Sequence, residues 1–172
     1  MAPDDSPDRG DVLPTGTSPL GPHTPISAAV GLLAIEPVLV AQDDPLDSVI
    51  RRAGASPATR VLGVVDPASV LIGVVTSHDL VAAIVGRLAP GALLTPIHDA
   101  DGMGEYARYL EATVAGDLMQ PPASLPETAT LAEAFHLMHE RHLSGAYVVD
   151  AAGRPTGYLD GLELAAAVVA EG

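Results

Sequence analysis

The sequence predicts an α/β (α+β) protein made of two tandem β-α-β-β-α repeats. The first observation behind this fold class is an internal repeat, since Val64-Val65-Asp66 matches Val148-Val149-Asp150 at an offset of 84 residues. Upstream, residues 30–40 match residues 115–125 at an offset of 85, so a single-residue gap brings the two copies into register. The second observation is that each copy alternates short apolar runs with apolar residues at the spacing of a helix.

Each copy contains the same elements in the same order. The predicted elements are the strands 38–40 and 123–125, helices beginning near residues 45 and 131, the strand pairs 61–65 with 71–75 and 146–149 with 156–159, and the helices 77–88 and 161–170. The turns between the paired strands, DPAS at 66–69 and DAAG at 150–153, consist of residues that favour turns. This regular order predicts two copies of one folding unit.

All four helices have a sequence pattern typical of an N-terminal cap. A hydroxyl or carboxylate is followed three residues later by an acid in the pairs Asp44/Asp47, Thr76/Asp79, Thr130/Glu133 and Asp160/Glu163. Pro45 would take the first helical position, where a missing N–H group has no cost. Capping alone explains such residues, because replacing a cap with alanine costs about 1 kcal/mol.

The chain divides into four segments. Residues 1–25 contain six prolines and several acids, which predicts a disordered arm. The first repeat spans residues 29–88 and the second spans 114–171. The connector 89–113 is long for a compact domain, so we expect it to pack across one face or to form a lid, with a short helix at 105–112.

Composition limits the classes of function. The net charge of −14 disfavours nucleic-acid binding, and all eight basic residues are arginine, so a bound anion must be held by a few local donors. The absence of cysteine excludes disulfides and thiolate chemistry. No apolar stretch reaches 18 residues, and the acidic start is unlike a signal peptide, so we expect a cytoplasmic protein without membrane contact.

The order of elements and three short motifs resemble a CBS-domain pair, the module named after cystathionine β-synthase. The motifs are residues 114–119 (VAGDLM), the two VVD strands, and residues 73–80 (GVVTSHDL), and the resemblance covers residues 29–172. It implies that the two repeats pack about a pseudo-twofold and that the protein forms a homodimer. It also implies an adenine nucleotide or adenosyl compound in a cleft between the repeats.

The resemblance implies a ligand site in the first repeat. Thr76 and Asp79 match the hydroxyl and carboxylate that hold a ribose in this family, and a carboxylate can accept from both vicinal hydroxyls. Ser77 and the start of its helix would offer donors to a phosphate, and Arg60 matches a phosphate contact of some members. Leu62 and Gly63 complete the predicted site.

Other positions depart from the family pattern. Asp160 and Glu163 replace the hydroxyl and the short acid in the second repeat, which indicates helix capping rather than ribose binding. Gly63 and Tyr147 stand where the family commonly has proline, so Gly63 would widen the first site and Tyr147 would crowd or stack in the second.

Two functional hypotheses follow. The first is a regulatory module that senses an adenosine-containing ligand (AMP, ADP, ATP or S-adenosylmethionine) and acts on an unknown effector protein. The alternative is a ligand-free module for dimerisation and protein interaction. No catalytic motif is present, so an enzyme is not expected, and no cofactor beyond such a regulatory ligand is predicted. His136, His139 and His142 cannot all converge from one helix face, so no metal site is predicted.

Overall fold

The computed structural model describes residues 20–33, 35–89, 91 and 100–170; most of the predicted arm, residues 1–19, lies outside this range. The helices are α1 (Ile26–Leu33), α2 (Leu46–Ala55), α3 (Ser77–Leu88), α4 (Ala100–Glu111), α5 (Ala115–Leu118), α6 (Leu131–Glu140) and α7 (Gly161–Ala170). The strands are β1 (Leu39–Ala41), β2 (Val61–Val65), β3 (Leu71–Thr76), β4 (Ser124–Pro126), β5 (Gly145–Val149) and β6 (Pro155–Asp160).

The strands form two sheets of identical topology. In the first sheet, β1 pairs with β2 in parallel and β2 pairs with β3 in antiparallel fashion; β4, β5 and β6 repeat this arrangement. Both antiparallel pairs contain a register shift at the same place, between Val64 and Val65 and between Val148 and Val149. The two repeats therefore share one fold, as the sequence predicts, and pack about a pseudo-twofold.

Both predicted hairpin turns are present, and each is closed by an aspartate. Asp66 Oδ1 accepts hydrogen bonds from the Ala68 and Val70 backbone N–H groups at 2.8 and 2.9 Å. Asp150 Oδ1 accepts hydrogen bonds from the backbone N–H groups of the second and fourth residues after it, also at 2.8 and 2.9 Å. The Asp that ends each VVD strand is thus a turn-forming residue.

Helix α1, which the sequence did not predict, packs against the second repeat. Ile26 and Ala29 are fully buried in the second hydrophobic core. The Ile26 N–H donates to the Ala129 carbonyl at 2.8 Å, and the Leu131 N–H donates to the Thr24 carbonyl at 3.0 Å. These contacts place residues 20–25 with the second repeat rather than in a disordered arm.

The reciprocal contact is made by α5, which packs against the first repeat. Ala115 and Leu118 are fully buried in the first core. The Ala115 and Gly116 N–H groups donate to the carbonyls of Asp44 and Gln42 at 3.0 and 2.8 Å. The helix at the start of the first repeat, α1, therefore packs on the second repeat, and the helix at the start of the second, α5, packs on the first. This exchange interlocks the two copies.

The predicted caps are present in three of the four cases. Thr130 and Glu133 form a capping box at α6, and Thr76 and Asp79 form one at α3. Asp160 caps α7 through Oδ1, which accepts from the second and third residues after it at 3.0 and 3.2 Å.

Helix α2 is present near its predicted start, but its predicted Asp44/Asp47 cap is not. Pro45 is the N-cap, with an extended ψ of 138°, and no side chain caps the helix. Asp44 turns back instead, and its Oδ2 accepts from the Ala41 N–H at 3.0 Å. The Leu46 N–H is satisfied by the Thr113 carbonyl at 2.9 Å, so the neighbouring segment replaces the cap.

The two sheets meet at a pair of buried tyrosines. The rings of Tyr147 and Tyr158 lie 5.3 Å apart at an angle of 58°. The Tyr147 hydroxyl donates to the carbonyls of Val38 and Val61, at 3.0 and 2.9 Å. Its ring fills the space beside Gly63, where an added Cβ would lie 2.9 Å from the ring. Gly63 stands where the family commonly has proline, and the Tyr147 ring of the other repeat fills the space that this small residue leaves.

No helix within the described part of the chain is long and apolar enough to cross a membrane.

Candidate functional site

A cleft of about 300 Å³ opens where β3 of the first repeat leads into α3. Both repeats and the connector line it: Arg60, Thr76, Ser77, His78, Asp79, Glu105, Tyr109, Gln120, Arg141, His142, Leu143 and Ser144. Four of the six predicted ligand-binding residues, Arg60, Thr76, Ser77 and Asp79, therefore lie at one cleft.

Leu62 and Gly63 do not line this cleft. Leu62 is fully buried in the core of the first repeat. Gly63 faces the Tyr147 ring between the sheets. Both residues belong to β2, and in this structure they support the cleft from within the sheet.

Thr76 and Asp79 are joined to each other at the start of α3. The Thr76 hydroxyl accepts from the Asp79 N–H at 3.0 Å and donates to Asp79 Oδ2 at 2.8 Å. The extended backbone of Thr76, with φ of −87° and ψ of 154°, directs both groups toward the first turn of the helix. The pair is therefore a capping box, and any contact with a ligand would be an additional role.

Asp79 also accepts from residues distant in sequence. The Gln120 amide donates to Oδ2 at 2.7 Å, and the Tyr109 hydroxyl donates to Oδ1 at 2.9 Å. The Arg108 guanidinium lies 3.5 Å from Oδ1. Asp79 is only 2 % exposed, so these partners compensate the loss of solvent around its charge.

Gly73 allows Gln120 to approach. The backbones of Val74 and Gln120 exchange two hydrogen bonds, at 3.0 and 2.8 Å, which place residues 119 and 120 over β3. A Cβ on Gly73 would collide with the Met119 side chain and lie 2.8 Å from the Gln120 carbonyl oxygen. Only glycine permits this approach, which brings the Gln120 amide to Asp79.

Three of the eight arginines of the chain lie at this cleft. Arg60 and Arg141 line it directly, from the first and the second repeat. Arg108 borders it through its contact with Asp79. Arg60 is also 3.8 Å from Asp160, whereas Arg141 has no ion-pair partner among the described residues. The cleft therefore combines guanidinium donors suited to an anion with the carboxylates of Asp79 and Glu105.

Ser77 lies at the cleft with its backbone already engaged. Its N–H donates to the Arg60 carbonyl at 2.9 Å. This bond ties the start of α3 to the end of the segment before β2. The Ser77 amide is therefore already engaged, whereas its hydroxyl has no hydrogen bond among the described residues.

The first strand-to-helix junction joins β3 to α3, and the corresponding junction in the second repeat joins β6 to α7. The two junctions differ in their side chains. Asp160 is fully buried, and its Oδ2 has no hydrogen bond among the described residues, although the Arg60 guanidinium lies 3.8 Å away. Glu163 is exposed on the first turn of α7 and does not bond back to its cap. The second junction thus has a capping carboxylate and an ion pair with the first repeat.

The connector supplies the contacts that sequence reasoning missed. Tyr109 lies on α4, is 6 % exposed, and contacts both Asp79 and Glu105, the latter at 2.8 Å. Burial raises the pKa of the Tyr109 hydroxyl, and its hydrogen bonds to Glu105 and Asp79 raise it further. The hydroxyl therefore stays protonated and acts as a donor. The sequence predicts a helix at 105–112, within the range of α4, but it does not predict that this helix contacts Asp79.

The three histidines of α6 and its end do not form a metal site. His136 is exposed and lies 3.3 Å from Glu140 on the same helix. Among the residues that the structure describes, no group of three His, Asp or Glu side chains is arranged to hold a metal ion.

Comparison with known proteins gives matches to CBS domains. The sequence profile of the CBS domain matches residues 30–86 and again 115–170. No match was found among curated proteins. A CBS domain-containing protein from Thermotoga maritima superimposes with a TM-score of 0.70 at 22 % identity, covering 86 % of this chain and 96 % of that chain.

Two structures with bound ligands are also similar. The CBS-pair protein CBSX2 from Arabidopsis thaliana, in complex with AMP, has a TM-score of 0.61 at 22 % identity and covers 78 % of this chain and 90 % of that chain. The CBS domain pair of protein MJ0100, in complex with 5′-methylthioadenosine and S-adenosylmethionine, has a TM-score of 0.65 at 14 % identity and covers 88 % and 100 %. With two profile matches over more than half of its length, the chain belongs to the CBS domain family.

Proposed function

We propose that the protein is a regulatory module that binds one adenosine-containing ligand in the cleft beside Thr76 and Asp79. The observation that carries this proposal is the position of that pair, at a cleft lined by arginines from both repeats. The second junction offers no equivalent pair, so the proposal assigns one ligand to each chain. Similar structures that hold AMP, or 5′-methylthioadenosine and S-adenosylmethionine, support this class of ligand.

The groups at the cleft fit the parts of a nucleotide. A carboxylate such as Asp79 can accept hydrogen bonds from both ribose hydroxyls. Arg60 and Arg141 are placed to contact a phosphate, and guanidinium groups match its geometry. These arginines also offset the repulsion that an acidic chain exerts on an anion.

The location of the cleft suggests how binding would be transmitted. Thr76 and Asp79 belong to the first repeat, and Arg141 and His142 to the second. A ligand in contact with both would favour one packing of the repeats over another, in proportion to its difference in affinity for the two. An effector protein that senses this packing would receive the signal.

Titration calorimetry with AMP, ADP, ATP and S-adenosylmethionine tests the proposal. We expect at least one of them to bind with one site per chain. Asp79→Asn should weaken binding by more than about tenfold, because a charge-assisted hydrogen bond contributes roughly 1.5–3 kcal/mol. Glu163→Gln, at the matching position of the second repeat, should leave binding unchanged. The absence of heat with all four compounds would contradict the proposal.

A ligand-free interaction module is the second candidate. Apolar side chains are exposed on the helices, including Val81 (62 %) and Leu88 (81 %) on α3 and Val169 (79 %) on α7. An apolar groove of about 430 Å³ lies between α2 and α3. Such surface favours a homodimer. If no compound binds while sedimentation shows a dimer, this candidate replaces the first.

A further inference from the structure

The connector helix α4 contacts the carboxylate to which the proposed function assigns the ribose. Tyr109 and Arg108 approach Asp79 Oδ1, at 2.9 and 3.5 Å. We propose that α4 is a built-in competitor that must leave Asp79 before an adenosine ligand binds. This inference rests on the proposed function and adds a regulatory step to it.

Hydrogen bonds and an ion pair occupy both oxygens of Asp79 while α4 is docked. A carboxylate offers about four acceptor positions on its two oxygens. Oδ2 accepts from the Thr76 hydroxyl and the Gln120 amide, at 2.8 and 2.7 Å. Oδ1 faces Tyr109 and Arg108. Because the side chain is only 3 % exposed, two more hydroxyl groups can reach it only by displacing a partner.

Among these partners, the residues of α4 are the ones that can leave together. Thr76 is part of the cap of α3, and Gln120 is fixed by two backbone hydrogen bonds to Val74. Tyr109 and Arg108 instead belong to a helix outside both repeats. Withdrawal of α4 would free Oδ1 and leave the cap of α3 intact.

The polar contacts between α4 and Asp79 are shared with a second acceptor, Glu105. The single Tyr109 hydroxyl proton faces two carboxylate oxygens, Asp79 Oδ1 at 2.9 Å and Glu105 Oε1 at 2.8 Å. The Arg108 guanidinium is also shared, since it lies 3.5 Å from Asp79 and 3.8 Å from Glu105. Glu105 therefore competes with Asp79 for both donors. Release of α4 leaves Tyr109 and Arg108 with an acceptor on their own helix.

Competition of this kind has a defined thermodynamic consequence. The apparent dissociation constant equals the intrinsic one divided by the fraction of molecules in which α4 is released. Any change that weakens docking without altering the ligand contacts must tighten apparent binding. The released helix would also be a signal of occupancy, because α4 would detach as the ligand enters.

Tyr109→Phe is the decisive variant, because it removes the hydroxyl and keeps the ring that packs in the core. We expect it to bind the adenosine ligand roughly threefold to tenfold more tightly than wild type, in line with the loss of one typical hydrogen bond, because the hydroxyl proton is shared between Asp79 and Glu105. Tyr106→Phe is the matched control on the same helix, since Tyr106 makes no described hydrogen bond, and its affinity should equal that of wild type. Calorimetry with AMP, ADP, ATP and S-adenosylmethionine measures all three proteins.

The outcomes of this titration distinguish failure of competition by α4 from failure of the proposed function. Tighter binding by Tyr109→Phe alone, including binding seen only in that variant, supports competition. Equal or weaker binding by Tyr109→Phe overturns competition while the proposed function stands. No binding by any of the proteins overturns both. As a second readout, adding the ligand to wild type should speed amide hydrogen exchange in residues 100–111, and slower or unchanged exchange there would overturn the inference.

Discussion

The two tyrosines between the sheets differ in what their hydroxyl groups contact. The Tyr147 hydroxyl donates to two backbone carbonyls of the first repeat. The Tyr158 hydroxyl is buried without a hydrogen-bond partner among the described residues. Burial, with a contribution from the nearby Asp160 charge, raises the pKa of Tyr158 to about 12, so it remains a neutral hydroxyl in the folded protein. Tyr147 thus joins the repeats by well-formed hydrogen bonds, whereas the Tyr158 hydroxyl has only weaker polar contacts with the backbone of Val61 and Arg60.

Removal of each hydroxyl should therefore have a different effect on stability. Tyr147→Phe should lower the free energy of unfolding by about 1–2 kcal/mol, because a buried hydrogen bond between the repeats is lost. Tyr158→Phe should be neutral or stabilising, because it removes a buried polar group that has no well-formed hydrogen bond. Urea unfolding of both variants measures the difference. Equal losses in the two variants would contradict this account of the interface.

At the scale of elements, the close approach of residues 119–120 to β3 links the fold to the site. Gly73 has no room for a Cβ, because Met119 and the Gln120 carbonyl lie against it. The approach fixes Gln120, which donates to Asp79 at 2.7 Å. The glycine that begins the GVVTSHDL motif is therefore part of the structure that positions the Asp79 carboxylate.

Gly73→Ala should destabilise the protein by roughly 1–3 kcal/mol, since overpacking forces the backbone at residues 119–120 away from β3. Gly54→Ala in α2 is the matched control, because nothing lies within 4 Å of its added Cβ. That change should stabilise the helix by about 0.5–1 kcal/mol. Thermal unfolding followed by circular dichroism compares the two, and a Gly73→Ala variant as stable as wild type would contradict the packing described.

The elements differ in how far they could be predicted. The strand 61–65 and the helices 77–88 and 161–170 agree with the structure to the residue, because apolar patterning and cap residues mark them locally. Helix α1 and the exchange of α1 and α5 between the repeats were not predicted, since both depend on contacts far apart in sequence. The same reason applies to the site: Thr76 and Asp79 are readable as a motif, but Tyr109 and Gln120 reach Asp79 only in the fold.

In the molecule as a whole, the two repeats have the same fold, but their strand-to-helix junctions carry different side chains. The sheets, turns and bulges repeat, yet only the first junction has a hydroxyl and a short acid at a cleft. The second has Asp160, which is fully buried and lies near Arg60. Because Arg60 lies at the first cleft and faces Asp160, a phosphate that attracts Arg60 would also weaken a contact between the repeats. We propose that a ligand binds at the first junction alone.

Amide hydrogen exchange, measured with and without AMP, ATP or S-adenosylmethionine, distinguishes binding at the first junction from binding at the second. The two junctions serve as internal controls for each other, because they have the same fold. We predict that a bound compound slows exchange at residues 76–80 and leaves residues 160–164 unchanged. Protection at residues 160–164 alone, equal protection at both junctions, or protection at neither with all three compounds would contradict the account.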